Sequence, residues 1–240
     1  MHYVLEICKM GLVIEYRKYM SCRRSPGEKR KKKEKPTTEE QWKVNFRNAV
    51  RKLTRKINTN FRPGDYHLVL DYKKECRPES WDDMYQDIRK FLKLLRKELK
   101  KIGLELKYIR VMELGSKGAR HHHLVINAIP PRILQQCWTK GRIKINPLDE
   151  TGQYRDLAVY LLKFTDEAVK RKELKKRWDS SKNLVEPEII RKPVNRRYFR
   201  ETTNVPKGYY LDKNSVSSYV DANGNRSFSY SVIKIRGDTS

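Results

Sequence analysis

The sequence predicts an α+β fold, an antiparallel β-sheet flanked by helices. Three observations carry this. Short runs of period-two alternation, such as Tyr66-His-Leu-Val-Leu-Asp-Tyr72, read as strands. Two longer stretches with apolar residues three and four apart read as amphipathic helices, over about 80–102 and 153–177. Their order is strand, helix, strand, strand, helix. That order lacks the strand–helix alternation of a doubly wound parallel sheet.

The elements follow in turn. Residues 1–22 read as one short helix or strand of mixed polarity. Residues 23–36 (Arg-Arg-Ser-Pro-Gly-Glu-Lys-Arg-Lys-Lys-Lys-Glu-Lys-Pro) form a charge block without apolar content, expected to be disordered. It is either a solvated linker or a segment lying along a phosphate backbone. Thr37-Thr38-Glu39-Glu40 gives a hydroxyl followed by carboxylates, a helix start, and Trp42 to Leu53 continue the helical spacing to about Asn58. Gly64-Asp65 breaks the chain before the strand 66–72, whose face Tyr66, Leu68, Leu70 and Tyr72 is apolar. Pro78-Glu-Ser80 opens the best helix, with Trp81, Met84, Ile88, Phe91, Leu92, Leu95, Leu99 and Ile102 in one stripe and a lysine- and arginine-rich opposite face. Gly103 ends it. Strands are expected over 104–113 and 121–128, joined through Gly115 and Gly118. A short helix reaches Trp138, and a short strand covers 142–146. After the helix at 153–177 comes a polar, proline-punctuated stretch and then a short run at 209–211. A hairpin of 216–221 and 226–235 turns at Asn223-Gly224. The implied organisation is a basic N-terminal arm (1–36), a core (37–177) and a C-terminal extension (178–240).

Composition narrows the partners. The 240 residues carry 55 Lys and Arg against 29 Asp and Glu, a net charge of +26. Such a surplus exceeds ordinary solubility needs and suits a polyphosphate, because neutralising phosphates releases condensed counterions. No apolar stretch approaches the roughly 20 residues of a membrane span. The N-terminus is a poor signal peptide, with Glu6 inside its apolar run. A cytoplasmic site of action without membrane contact is expected. Cys8, Cys22, Cys76 and Cys137 lie far apart with no Cys-x-x-Cys pair, which argues against a zinc ribbon or redox motif and for free thiols.

Two clusters offer chemistry. The first is Glu113 with His121 and His123. On a strand, residues i and i+2 share a face, roughly 7 Å apart, so both imidazoles can converge on one divalent ion. A preceding strand ending at Glu113 brings a carboxylate beside them. The alternative is a turn-capping Glu113 and two exposed strand histidines. His122 points to the opposite face and is expected to be packed or hydrogen-bonded beneath a helix. A set of two histidines and a carboxylate suits several divalent ions; with a phosphate substrate, Mn2+ or Mg2+ is expected. The second cluster is Tyr160 and Lys163, i and i+3 on a helix and so on one face, with Asp156 a turn earlier. A phenol has a reference pKa near 10, and an adjacent ammonium would favour the phenolate.

Three segments together resemble the HUH endonucleases, specifically the rolling-circle replication initiator (Rep) proteins of bacterial plasmids and phages. They are the strand at 66–72, the Glu113…His121-x-His123-Leu-Val-Ile element and the Tyr160-Leu-Leu-Lys163 helix, in the family's order, covering about 61–164. The resemblance implies a ferredoxin- or RRM-like core that nicks one DNA strand at a replication origin. Tyr160 would attack the scissile phosphate, leaving a 5′-phosphotyrosyl link and a free 3′-hydroxyl. His121, His123 and Glu113 would ligate Mn2+ or Mg2+, and Lys163 would orient or stabilise near the phosphate. The substrate would be single-stranded DNA or an origin hairpin, and a separate host helicase and polymerase would act with the protein, since no Gly-x-x-x-x-Gly-Lys-[Ser/Thr] segment is present. The sequence departs from the family in two places. A bulky hydrophobe usually stands where His122 does, and Phe164 occupies the position of a second catalytic tyrosine in some relatives. Other readings are a transposase or conjugative relaxase with the same chemistry, and a non-catalytic basic nucleic-acid-binding module.

Overall fold

The computed structural model describes residues 2–21, 38–115, 118–194, 199–221 and 224–235. By its contacts the chain divides into two compact units, residues 46–185 and residues 1–45 with 186–240. The fold is α+β, as the patterning predicts, but it contains two antiparallel sheets where one was expected.

The unit 46–185 is built on strands β3 (Tyr66–Leu70), β4 (Tyr108–Leu114), β5 (Arg120–Ile126), β6 (Ile143–Pro147) and β7 (Asp179–Ser180), numbered after β1 and β2 of the other unit (His2–Met10 and Val13–Ser21). Its helices are α1 (Glu39–Asn60, from Phe46 on), α2 (Trp81–Lys101), α3 (Pro131–Cys137) and α4 (Arg155–Lys170). The sheet order is β6-β3-β5-β4-β7. The run β3–α2–β4–β5–α3–β6 gives the ferredoxin-like β-α-β-β-α-β arrangement.

Alternation along β3 and β5 feeds two cores. Leu68 and Leu70, with Leu124 and Ile126, face α2 and α3 and pack on Ile88, Phe91, Leu95, Leu99 and Trp138. The stripe of α2 was legible because every third or fourth residue is apolar, and each such side chain contributes about 1.5–3 kcal/mol when buried. Ser80 caps this helix in a reciprocal box with Asp83. On the other face Ile109, Val111 and Val125 pack on Val50, Leu53 and Ile57 of α1 and on Ala158, Leu161 and Leu162 of α4. The helix carrying Tyr160 is therefore laid on the sheet by its own apolar stripe.

Boundaries differ in places. α4 stops at Lys170 instead of about 177. There Lys172 takes a left-handed φ of 63° and the N–H groups of Lys172 and Glu173 return to the carbonyls of Val169 and Ala168. Residues 178–185, expected in the C-terminal extension, belong to this unit: β7 pairs with β4, and the Val185 N–H and carbonyl bond to the Asn60 side chain.

The other unit is a sheet of order β8-β1-β2-β10-β9, with β8 (Glu188–Val194), β9 (Tyr209–Val220) and β10 (Arg226–Lys234). The first 22 residues, expected to be one element, form the hairpin β1–β2. Gly11 closes its two-residue turn at a φ of 55°. What hid the strand is Glu6, a buried carboxylate in line with Val4, Cys8 and Met10. Arg191 on β8 donates to it at 2.8 Å. β8 was itself hidden by its polarity and by Pro193, which an edge strand tolerates. The expected C-terminal hairpin is present as β9–β10, but β9 also absorbs 209–211 through a bulge opposite Ser229 and Ser231. The expected disorder of 23–36 falls outside the described residues, as do Cys22 and Asn223 of the turn. Cys8, Cys76 and Cys137 are free thiols. No helix among the described residues is long and apolar enough to cross a membrane.

Candidate active site

The register of the central strands decides which side chains meet. β5 lies between β4 and β3, with His121 opposite Glu113 and His123 opposite Val111 and Val69. Residues facing each other across an antiparallel pair share a face. Glu113, His121 and His123 therefore stand on the face covered by α1 and α4, as the spacing predicts. Two side chains of β3 and its end join them, His67 and Asp71, which alternate away from its apolar face.

Hydrogen bonds tie these groups into two short chains. His123 bonds Glu113 Oε2 through Nε2 at 2.5 Å, and its Nδ1 meets His67 Nε2 at 3.2 Å. An ionised carboxylate only accepts, so His123 carries its proton on Nε2 and its Nδ1 accepts from His67. His123 is 2% exposed and Glu113 12%. Burial, then the positive potentials of His123 and Lys144, push the His67 pKa down to about 4. Separately, His121 donates from Nδ1 to Asp71 Oδ1 at 2.8 Å, which leaves its Nε2 carrying the lone pair. A carboxylate behind a histidine in this way fixes the ring and raises its basicity as a metal ligand. Asp71 is held in turn from behind. A Cβ added to Gly141 would lie 2.0 Å from the Asp71 carbonyl oxygen, so only glycine allows that approach.

Tyr160 stands over this group from α4. Its ring lies edge-on to His123 at 5.7 Å between centroids and to His67 at 6.0 Å. It remains 44% exposed, open to a large substrate. Its pKa is raised, first by partial burial and then by the negative charge of Glu113. This corrects the expectation that Lys163 favours the phenolate. Lys163 is exposed one turn along α4, no hydrogen bond or ion pair joins it to Glu113, His121 or His123 among the described residues, and Glu113 is the charge that acts on the phenol. Asp156 is likewise exposed in the first turn.

His122 occupies the opposite face, as alternation requires. It is fully buried and bonded through Nε2 to Tyr72 Oη at 2.7 Å, with the Trp138 ring 5.9 Å away. It belongs to the core beneath α2 and α3. His67 and Asp71 were missed by the sequence reading. The available signal was the polar half of Tyr66-His-Leu-Val-Leu-Asp-Tyr72, whose apolar half alone was read.

Residues 65–165 match the family of replication-associated protein ORF2. No curated protein and no solved structure matches the chain. The replication-associated segment runs from the residue before β3 to the second half of α4. It includes Glu113, His121, His123, Tyr160 and Lys163 as well as His67 and Asp71. Similarity over this segment supports a role as a replication initiator acting on DNA.

The donor set has the chemistry of a divalent-ion site, two imidazoles and a carboxylate on one face with a second carboxylate behind one ring. Among the described residues, no three His, Cys, Asp or Glu side chains stand converged as a metal-holding group. Glu113 and His123 are instead bonded directly to each other.

Proposed function

We propose that the chain is a single-strand DNA endonuclease and ligase that opens a replication origin through a phosphotyrosyl intermediate. The observation that carries this reading is Tyr160 standing edge-on to His123, above the same face that holds Glu113 and His121. Tyr160 is the nucleophile. Its phenol oxygen forms a bond to the scissile phosphorus as the 3′-oxygen leaves with a proton, so one phosphodiester replaces another and no nucleotide cofactor is consumed. The product keeps the energy of the bond it broke, which allows the nick to be resealed.

Glu113, His121 and His123 would hold Mn2+ or Mg2+, which when bound supplies a positive charge that polarises a phosphoryl oxygen. For His123 to ligate through Nε2, its proton must sit on Nδ1, and the bond to His67 then runs the other way. Neutral His67 can accept that proton, which is the role this reading gives it. Asp71 keeps the Nε2 of His121 unprotonated. Tyr160 is held as a phenol in the metal-free state, so attack is withheld until a cation offsets Glu113. Lys163, exposed on the same helix, contacts the DNA backbone and steadies the phosphate. A replication initiator of this kind acts with a separate host helicase and polymerase.

The test is covalent capture. The full-length protein is incubated with Mn2+ and single-stranded oligonucleotides from its own replicon, then run on a denaturing gel. An adduct is expected with the unaltered chain and none with Tyr160→Phe. A retarded native band with no covalent product would instead support the non-catalytic binding module. An undiminished adduct in Tyr160→Phe would move the nucleophile elsewhere.

A further inference from the structure

The replication-associated match leaves the sheet of β8, β1, β2, β10 and β9 without a role. One face of that sheet bears a groove of about 510 Å3 roofed by the loop at 199–204. That volume lies within the roughly 300–1,000 Å3 of ordinary ligand sites. Strand register builds its floor. Leu5 pairs with Lys18 on one side and Lys192 on the other, and Tyr16 pairs with Tyr230. Aromatic rings line it in two couples: Tyr16 stacks on Tyr230 at 5.0 Å, and Tyr3 meets Phe199 at 4.8 Å.

The roof is tied down at both ends. Lys18 Nζ donates to the Arg200 carbonyl at 3.0 Å, and the Tyr230 hydroxyl accepts from the Asn204 N–H at 2.8 Å. Lys192 and Arg200 are both exposed at the groove. Among the described residues no carboxylate lines it; Glu201 in the same loop is turned to Ser218 at 2.6 Å. A ligand that used only the cations would gain nothing from four ring faces, and an apolar ligand would gain nothing from the cations. A single-stranded nucleic acid uses both, with bases on the rings and phosphates on the charges.

We infer that this groove is a second binding site for single-stranded DNA, formed within the unit 1–45 with 186–240 and separate from the Tyr160 site. The choice of DNA over RNA rests on the proposed nicking function. The site holds the strand that the tyrosine site cuts, or its continuation, through Tyr3, Phe199, Lys192 and Arg200.

The experiment uses the full chain. In a Tyr160→Phe background, which prevents covalent capture, fluorescent oligothymidylate is titrated at several salt concentrations, with and without Lys192→Glu and Arg200→Glu together. Both positions are exposed, and a thermal melt checks that the double variant is folded. Affinity is expected to fall at least about tenfold. The slope of log affinity on log salt should shrink by about 1.4, the share of two phosphate contacts on a single strand. Without any substitution, iodouracil oligonucleotides should photo-crosslink to peptides containing Tyr3 or Phe199. Unchanged affinity and slope would overturn the site, as would crosslinks confined to residues 46–185, or competition by oligoglutamate as effective as by DNA. The adduct assay on the double variant with Tyr160 intact separates the two claims. An adduct that persists at saturating oligonucleotide, beside weakened binding, supports both sites. An adduct that persists with no change in binding removes only the groove, and weakened binding with no adduct in any form of the chain removes only the nicking.

Discussion

Three consecutive histidines of β5 occupy two unlike environments. His121 and His123 lie under α4 with Glu113, Asp71 and His67, and Tyr160 above them is half open to solvent. His122, one residue from each, is sealed beneath α2 and α3 against Tyr72 and Trp138. Burial pushes its pKa down to about 3, aided by the nearby Arg110, and drives that of Tyr72 well above the ordinary tyrosine range, with Asp87 adding to the effect. Asp87 is itself paired with Lys140 at 2.9 Å. One face thus gathers carboxylates around imidazoles; the other keeps an imidazole neutral in a hydrogen-bonded core. The pleat alone separates them, so residue type says nothing about role until strand and register are known.

The sharpest way to break the comparison is to make the same substitution at neighbouring positions. His121→Ala should lower the rate of Mn2+-dependent adduct formation by about a thousandfold, the worth of several kcal/mol of charge stabilisation. Its stability should change by less than about 1 kcal/mol, since the ring is only partly buried and its hydrogen bond is worth about that much. His122→Ala should do the reverse. It loses a buried hydrogen bond and leaves a cavity, for about 1–3 kcal/mol in urea unfolding. The adduct rate per folded molecule should stay within about threefold. His123→Ala, 2% exposed and bonded on both nitrogens, should show both losses. Equal behaviour of His121→Ala and His122→Ala would erase the distinction between the faces.

That distinction was legible where a pattern stood in the open. The i, i+2 spacing of His121 and His123, the strand ending at Glu113 and the apolar stripe of the helix at Tyr160 put those residues on one face before any coordinates. His67 and Asp71 were not legible, because their membership depends on β3 pairing with β5 in one particular register. That is a contact between residues about fifty apart, and nothing local encodes it. The hairpin β1–β2 escaped for a different reason. Its buried Glu6 breaks the apolar alternation, and the arginine that compensates it lies 185 positions away. In both cases the missing information was a long-range partner. The acidity of Tyr160 was misread for a related reason: the lysine three residues away was visible, and the carboxylate across the sheet was not.

The next effect in size tests whether the site face is organised from behind. Asp71→Asn keeps the shape but exchanges an obligatory acceptor for an amide, so the Nδ1 proton of His121 is no longer held by a charge. Metal affinity, read by titrating Mn2+ against adduct yield, should weaken by about ten- to a hundredfold. Thermal stability should change little, since the pair is part exposed at both ends. A large loss of stability with metal dependence unchanged would show Asp71 to be a structural residue at the end of β3 only.

The smallest effect separates the two faces by pH. His67 and His122 both have folded pKa values below the ordinary 6.5, at about 4 and about 3. Above 6.5 neither state binds a proton at these positions and they leave stability unaffected. As pH falls below 6.5 the unfolded chain takes up protons that the folded chain refuses. Stability is then lost by up to about 1.4 kcal/mol per pH unit for each group, until its folded pKa is reached. His67→Gln and His122→Gln should each flatten the unfolding curve between pH 6.5 and 4 relative to the unaltered chain. Below about pH 4 His67 is protonated in both states and has no further slope to give. Only His122→Gln should still differ there, down to about pH 3. If both variants tracked the unaltered chain across this range, the core face would hold its histidine no more tightly against protonation than water does.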